Sequence, residues 1–249
     1  MKYVALILAF WFVGCGPQPR KDSTAPVEYY HVDPATAGRV TGVVRFAGKK
    51  PAARVISMNA EEGCEKMHPK GVPEEVVVLG KGGALANAIV YIKSGLESKK
   101  FEPPKEAVVL DQHGCMFVPR VLAIQTGQSL SVKNSDPVSH NIHPRPEQNR
   151  EWNQQQSPGA PDLRRKFTAP EVVIPVRCNI HSWMRSYIAV TDHPYIAVTN
   201  GAGAFEWPHV PPGEYTVAVW HETLGELMQK ASVAAHGEAK VEFIFREEK

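Results

Sequence analysis

The sequence predicts an all-β protein. Its 21 proline and 19 glycine residues divide 249 residues into many short apolar runs, and no long stretch has the apolar spacing of a helix. The run from Val40 to Gly48 is typical, because Val40, Val44 and Phe46 fall on one face before a glycine turn. A chain of this length forms either one large β domain or two smaller ones.

Charge and motif content exclude several function classes. The net charge is +2, and acidic and basic residues are interspersed without a block of one sign, so nucleic acid is not an expected partner. The sequence contains no serine-nucleophile signature, paired-carboxylate motif, phosphate-binding loop or haem-attachment motif. We therefore expect a binding protein and not an enzyme.

Residues 1–15 have the features of a targeting segment. Lys2 precedes an apolar run, Val4–Val13, that is too short to span a bilayer. The run ends in Phe12-Val13-Gly14-Cys15, which resembles a bacterial lipobox. That resemblance implies cleavage before Cys15, lipid on its sulfur, and a protein anchored to a membrane of the bacterial cell envelope on its periplasmic or extracytoplasmic face. The alternative is an ordinary signal peptide with an incidental cysteine.

Residues 16–37 are rich in proline, serine and charge, so we expect a flexible tether. Residues 38–99 and 194–249 both contain short apolar runs bounded by glycine and proline. Gly42–Gly48 reads G-x-V-x-F-x-G, and Phe205–Val217 reads F-x4-V-P-P-G-x-Y-x-V. These phrases resemble the opening and closing strands of carboxypeptidase-regulatory-like, or transthyretin-like, β-sandwiches. The resemblance implies that the two segments are halves of one sandwich; tandem domains and one merged sandwich are the alternatives.

A short loop in residues 100–193 carries three metal-binding side chains. Arg177–Arg185 places the Cys178 thiol, the His181 imidazole and the Met184 thioether at Cys-x2-His-x2-Met spacing between two apolar runs. Structural zinc sites close with four strong ligands, and thioether is not among them. Copper accepts two imidazoles and a thiolate with a weak axial thioether. The loop lacks only a second histidine, and His140 follows an earlier predicted strand, Gln128–Lys133, and a polar turn.

The two motifs together resemble the cupredoxins of the amicyanin and plastocyanin type. The matching residues are Asn134, the run His140-Asn141-Ile142-His143, and the loop with Cys178, His181 and Met184. The resemblance implies a Greek-key β-sandwich over residues 100–193, inserted in or fused to the other sandwich, with one type 1 copper ion. It assigns the copper ligands as His140, Cys178, His181 and Met184.

The same resemblance gives roles to neighbouring residues. It implies that Asn141 pins the His140 segment to the Cys178 loop. His143 is an alternative fourth ligand, a residue that tunes the site from behind the ligands, or a partly exposed neighbour. Trp183 belongs either to the core or to an apolar rim through which His181 reaches a redox partner.

The two remaining cysteines, Cys64 and Cys115, are expected to form a disulfide in an oxidising compartment. The alternative is a second metal site built from Met67, His68, His113 and Cys115.

Three functions remain open from the sequence. The first is a membrane-anchored copper protein that transfers electrons to an unidentified redox protein. The second is a copper scavenging or delivery protein. The third is a module whose regulatory-like sandwich binds a glycan or a protein and whose metal site is accessory.

Overall fold

The computed structural model describes residues 27–247. The predicted signal peptide with its Cys15 lipidation site, and most of the predicted tether, lie outside the described residues. Within 27–247 there is no helix long and apolar enough to cross a membrane.

Strands dominate this part of the chain, which confirms the predicted all-β class. One short α-helix, α1, spans Glu62–Met67, and a single 3-10 turn spans Lys81–Gly83. In chain order the strands are β1 Gly38–Ala47, β2 Val55–Ile56, β3 Val72–Pro73, β4 Ile89–Ser94, β5 Val108–His113, β6 Met116–Val118, β7 Val121–Gln125, β8 Leu130–Asn134, β9 His140–Pro144, β10 Gln154–Gln156, β11 Leu163–Arg165, β12 Glu171–Arg177, β13 Arg185–Thr191, β14 Ile196–Val198, β15 Ala204–Val210, β16 Gly213–His221, β17 Gly225–Val233 and β18 Glu238–Arg246.

The first sandwich takes strands from both ends of the described chain. One sheet has the order β15-β1-β18 and the other β14-β4-β16-β17. Strand β1 runs antiparallel to β15 and parallel to β18, with Val40 opposite Ala239. Alternation along β18 buries every second side chain, including Val241 and Phe243, against the core. Segments 38–99 and 194–249 therefore contribute strands to the same two sheets.

The second sandwich lies between those segments in sequence. Its sheets have the orders β10-β9-β12-β13-β7 and β11-β8-β5-β6. A separate apolar core fills it, with Leu110, Leu130 and Ile188 fully buried. The loop with Cys178, His181 and Met184 connects β12 to β13, which pair antiparallel, and β12 also pairs with β9.

Two boundaries differ from the sequence-based expectation. Strand β8 begins at Leu130 and not at Gln128, because the turn at Gly127 continues: Gln128 N–H donates to the Gln125 carbonyl over 2.9 Å. Residues 145–161 are polar and rich in glutamine and asparagine, a composition that predicts a surface loop, yet they contain β10, whose Gln156 is buried. The Gln156 amide bonds the carbonyls of Val132 and Pro161, so a hydrophilic residue fills an interior position.

A third apolar cluster joins the two sandwiches. Ile89 and Ala218 of the first pack with Val121 and Ala189 of the second. Outside this cluster, Tyr30 contacts Phe101 edge to face, with ring centroids 5.6 Å apart. The C-terminal part of the segment expected as a tether is therefore packed on the folded body.

Candidate metal centre

The register of β9 and β12 brings the two candidate metal-binding motifs together. Arg177 at the end of β12 lies opposite His143 of β9, so the chain after Arg177 passes beside Asn141 and His140. The loop then closes on itself. Cys178 N–H donates to the Met184 carbonyl over 3.2 Å, and Met184 N–H donates to the His181 carbonyl over 3.0 Å. Both ends of the Cys-x2-His-x2-Met motif are thus fixed by backbone hydrogen bonds.

Three donor atoms converge at this point. The ligand atoms of His140, Cys178 and His181 all lie within 4.8 Å of one another, and all three side chains are buried. The Nδ1 atoms of His140 and His181 are 2.9 Å apart, and Cys178 Sγ is 3.8 Å from His181 Nδ1. Two imidazole nitrogens and one sulfur from distant parts of the chain therefore face one position.

Met184 lies in the same apolar cluster as Cys178. Its side chain is fully buried among residues that include Ile142 and Phe167. A thioether held in this way is shielded from water and lies in the neighbourhood of the thiol. Cys178 and Met184 therefore share one buried apolar cluster, and the hydrogen bond from Cys178 N–H to the Met184 carbonyl joins their main chains.

The Cys178 sulfur accepts backbone hydrogen bonds. Asn141 N–H lies 3.5 Å from it and His181 N–H 3.3 Å. Burial alone raises the pKa of the thiol, but hydrogen bonds from His140 and from these backbone groups outweigh it, so the pKa is lowered. The site therefore favours the thiolate, which is the form that binds metal.

Asn141 ties the two strands of the site together. Its Oδ1 accepts from the N–H groups of Asn179 and Ile180, the latter over 3.3 Å. Its Nδ2 donates to Asn153. Those contacts hold the loop after Cys178 against the start of β9, the role that the cupredoxin resemblance implies for this residue.

A buried carboxylate stands behind His140. Asp136 Oδ2 lies 2.8 Å from His140 Nε2, and Asp136 also accepts hydrogen bonds from the N–H groups of Gly114 and Cys115. Burial lowers the pKa of His140, yet hydrogen bonds to Asp136 and Cys178, together with the charges of these two groups, outweigh burial and raise the pKa overall. The pKa of Asp136 is lowered, because its hydrogen bonds outweigh the effect of burial. Asp136 is not among the site residues predicted from the sequence.

His181 is covered by other parts of the chain. His181 is only 3% exposed, and its Nε2 has no hydrogen-bond partner within the described residues. Glu61, just before helix α1, places Oε2 3.9 Å from that nitrogen. Burial and the neighbouring His140 lower the pKa of His181. Glu61 is also absent from the predicted site, since no local motif connects it to a residue 120 positions later.

Trp183 lies beside His181, with ring centroids 5.1 Å apart. Its Nε1 donates to the Cys115 carbonyl over 3.0 Å, and its ring is half-buried against the Cys64–Cys115 cluster. The side chain thus packs partly inside and partly reaches the surface, and its role in an apolar rim for a redox partner stays a prediction.

His143 is engaged elsewhere. Its ring nitrogens contact Asn179 Oδ1 over 3.2 Å and Glu151 Oε1 over 2.5 Å. In the described residues two donor groups converge, and His143 belongs to neither. The first is His140, Cys178 and His181; the second is His140, Asp136 and Cys115, whose sulfur is held in a disulfide.

Cys64 and Cys115 form a disulfide, with their Cα atoms 5.8 Å apart. Cys115 therefore offers no free thiolate to the second metal site considered from the sequence. His68 instead bonds the Gly114 carbonyl through Nε2 over 2.9 Å. The bridge fastens helix α1 to the turn between β5 and β6, close to Trp183 and Asp136.

The donor set fits copper. Two imidazoles, one thiolate and a buried thioether match the ligand preferences of copper, whereas a structural zinc site needs a fourth strong ligand. A metal ion bound here would lie at the position that both Nδ1 atoms and Cys178 Sγ face.

No protein-family model matches the chain, and no curated protein matches it. Solved structures do match, and 51 chains do so. A copper-containing nitrite reductase from Thermus scotoductus SA-01 is 23% identical at a TM-score of 0.31, over 39% of this chain and 24% of its own length. This chain thus spans about a quarter of that reductase.

Two smaller proteins are similar to this chain over nearly their whole length. A purple cupredoxin from Nitrosopumilus maritimus is 18% identical at a TM-score of 0.29, over 34% of this chain and 99% of its own. The Cu(I) form of an amicyanin mutant is 19% identical at a TM-score of 0.30, over 41% of this chain and 97% of its own. In both comparisons the smaller protein is covered almost completely, whereas less than half of this chain takes part.

Proposed function

We propose that this protein is a single-copper electron carrier held at an extracytoplasmic membrane surface. The observation that supports the proposal is the convergence of His140, Cys178 and His181, with both Nδ1 atoms and the sulfur facing one position. We propose Met184 as the fourth, weak ligand, since it is buried in the same apolar cluster as Cys178. Bound copper would supply a one-electron redox couple.

The residues of the chain provide what such a carrier needs. Backbone hydrogen bonds to Cys178 and from Met184 hold the loop in one conformation, so the ligands need not rearrange when charge changes. The apolar core around Cys178 and Met184 excludes water from one side of the site. Asn141 keeps the His140 strand and the ligand loop at a constant separation.

Electron exchange with a partner protein requires a surface close to the ligands. We propose the surface formed by Ile180 and the outer part of Trp183. Ile180 adjoins His181 in sequence and is 49% exposed, which makes it an apolar contact next to a ligand. Glu61 covers the other edge of His181.

The proposed location follows from two features. The Cys64–Cys115 disulfide favours an oxidising compartment. The lipobox-like sequence that ends in Cys15 supports a lipid anchor, with the residues that follow it as the connection to the sandwiches.

The test is a titration of the full-length protein with Cu(II), followed by visible absorption and EPR. We expect one equivalent to produce an intense thiolate-to-copper band in the wild type and in Ser182→Ala, a change at an exposed position of the same loop. Cys178→Ser should lack the band. Absence of the band in the wild type would defeat the proposal, whereas a band with irreversible voltammetry and strong Cu(I) preference would favour copper delivery.

A further inference from the structure

The carboxylate of Asp136 occupies an unusual position for a charged group. The residue is 4% exposed, His140 is fully buried, and Oδ2 lies 2.8 Å from His140 Nε2. A buried carboxylate is costly unless it is paired and hydrogen-bonded. The contact is therefore a specific arrangement and not an incidental surface pair.

Asp136 is itself held rigidly. Its Oδ1 accepts from Gly114 N–H over 2.6 Å and its Oδ2 from Cys115 N–H over 2.7 Å. Its own N–H donates to Asn134 Oδ1 over 3.1 Å. The Cys64–Cys115 disulfide fixes the turn that supplies two of these groups. Because these hydrogen bonds hold the Asp136 carboxylate in one position, the carboxylate in turn holds the His140 ring in one orientation.

The contact decides which nitrogen of His140 is free. A carboxylate only accepts hydrogen bonds, so Nε2 must carry the proton that it donates to Asp136. Neutral imidazole then has its lone pair on Nδ1, the atom that faces His181 and Cys178. The negative charge of Asp136 also makes the imidazole a stronger donor.

We propose that Asp136 is a positioning residue that holds His140 in its metal-binding tautomer and that its charge stabilises the oxidised, doubly charged copper ion over the reduced one. This rests on the proposed electron-carrier function. A negative charge close to a metal favours the more positive oxidation state, so Asp136 lowers the reduction potential of the site.

The test compares Asp136→Asn with Asp111→Asn in the full-length protein. Asparagine keeps the shape of the side chain and removes its charge. Asp111 is a matched control, since its carboxylate accepts from the hydroxyl of Ser135, the residue before Asp136, and within residues 27–247 it has no hydrogen bond to an imidazole. Loss of such a partner to a metal-binding histidine typically weakens metal binding about 10–100-fold. We expect Cu(II) binding to weaken at least about tenfold more than Cu(I) binding, which raises the potential by about 59 mV per tenfold.

Asp111→Asn should leave the potential close to that of the wild type. Equal potentials for the two variants, with the band present in the wild type, would overturn this inference alone. Absence of the band in the wild type would overturn both this inference and the proposed function. EPR should show altered copper hyperfine splitting in Asp136→Asn, a change that a loss of stability by itself does not produce.

A measurement on the metal-free wild type covers the case in which Asp136→Asn does not fold. Nitrogen-15 NMR at alkaline pH, where the imidazoles are neutral, reports the tautomer of His140 directly. We expect the proton on Nε2. A proton on Nδ1 as the main form would contradict the proposed role of Asp136 whatever the variants do.

Discussion

Arg120 and Glu222 form a two-pronged ion pair between the two sandwiches. Arg120 Nε lies 2.6 Å from Glu222 Oε1, and Nη2 lies 2.7 Å from Oε2. Both side chains are largely covered, with 9% and 6% of their surface exposed. Arg120 precedes β7 of the second sandwich, and Glu222 follows β16 of the first, so the pair joins segments 102 residues apart.

Removing one partner of this pair should destabilise the protein. Arg120→Ala leaves Glu222 buried without its partner, and we expect the free energy of unfolding to fall by about 3–5 kcal/mol. The double variant Arg120→Met with Glu222→Leu should recover much of the loss, because no unpaired charge remains. Urea unfolding measures both. Lys66→Ala is the control, since the Lys66–Glu62 pair is exposed and should contribute under about 1 kcal/mol. Similar losses for Lys66→Ala and Arg120→Ala would contradict this interpretation.

Substitutions of Met184 should affect the stability of the fold and the reduction potential of the site separately. Met184→Leu keeps the buried volume, so we expect a stability cost under about 1.5 kcal/mol. It removes the thioether, which we propose as the weak ligand, and the potential should rise because an apolar group replaces a donor beside the oxidised ion. Met184→Ala leaves a cavity and should cost about 2–5 kcal/mol. Voltammetry and urea unfolding give the two quantities, and an unchanged potential in Met184→Leu would exclude Met184 as a ligand.

The disulfide should stabilise the chain and need not supply a ligand. Cys64 and Cys115 are 51 residues apart in sequence. Replacing both with serine should lower the free energy of unfolding by about 2–4 kcal/mol, since the unfolded chain regains the freedom of that loop. We expect the folded variant to keep the thiolate-to-copper band. Loss of the band at temperatures where circular dichroism shows native folding would instead place the disulfide among the groups that build the metal site.

Stability should fall in mild acid because of His221. Burial lowers the pKa of His221 from 6.5 to about 4, so the folded protein binds this proton less readily than the unfolded chain. The contribution of His221 to the free energy of unfolding is fully present above pH 6.5 and is lost as the pH falls through about 4. Its upper limit is about 3 kcal/mol. Urea unfolding of the wild type and His221→Gln across this window tests the difference in slope. His31→Gln, at an exposed position, should keep the wild-type slope.

Much of the fold could be predicted from the chain alone. Glycine and proline indicate turns. The alternation of polar and apolar residues in β18 predicts which of its faces is buried without knowledge of its neighbours. The candidate ligand loop could be identified too, since Cys178, His181 and Met184 lie within seven residues and their donor types favour copper. The polar strand β10 could not be predicted, because its Gln156 is buried through side-chain hydrogen bonds that do not appear in the hydrophobic pattern of the sequence.

The local sequence by itself therefore determined the strand content, the loop and the kind of metal that its donors suit. The tertiary structure decided which polar side chains stand behind those donors. Asp136 is four residues from His140 in a turn, and only the folded positions of Gly114 and Cys115 orient its carboxylate toward the imidazole. Glu61 reaches His181 because a disulfide holds its helix there. Contacts of this kind depend on distances across the fold, so they cannot be predicted from side-chain type and spacing along the chain.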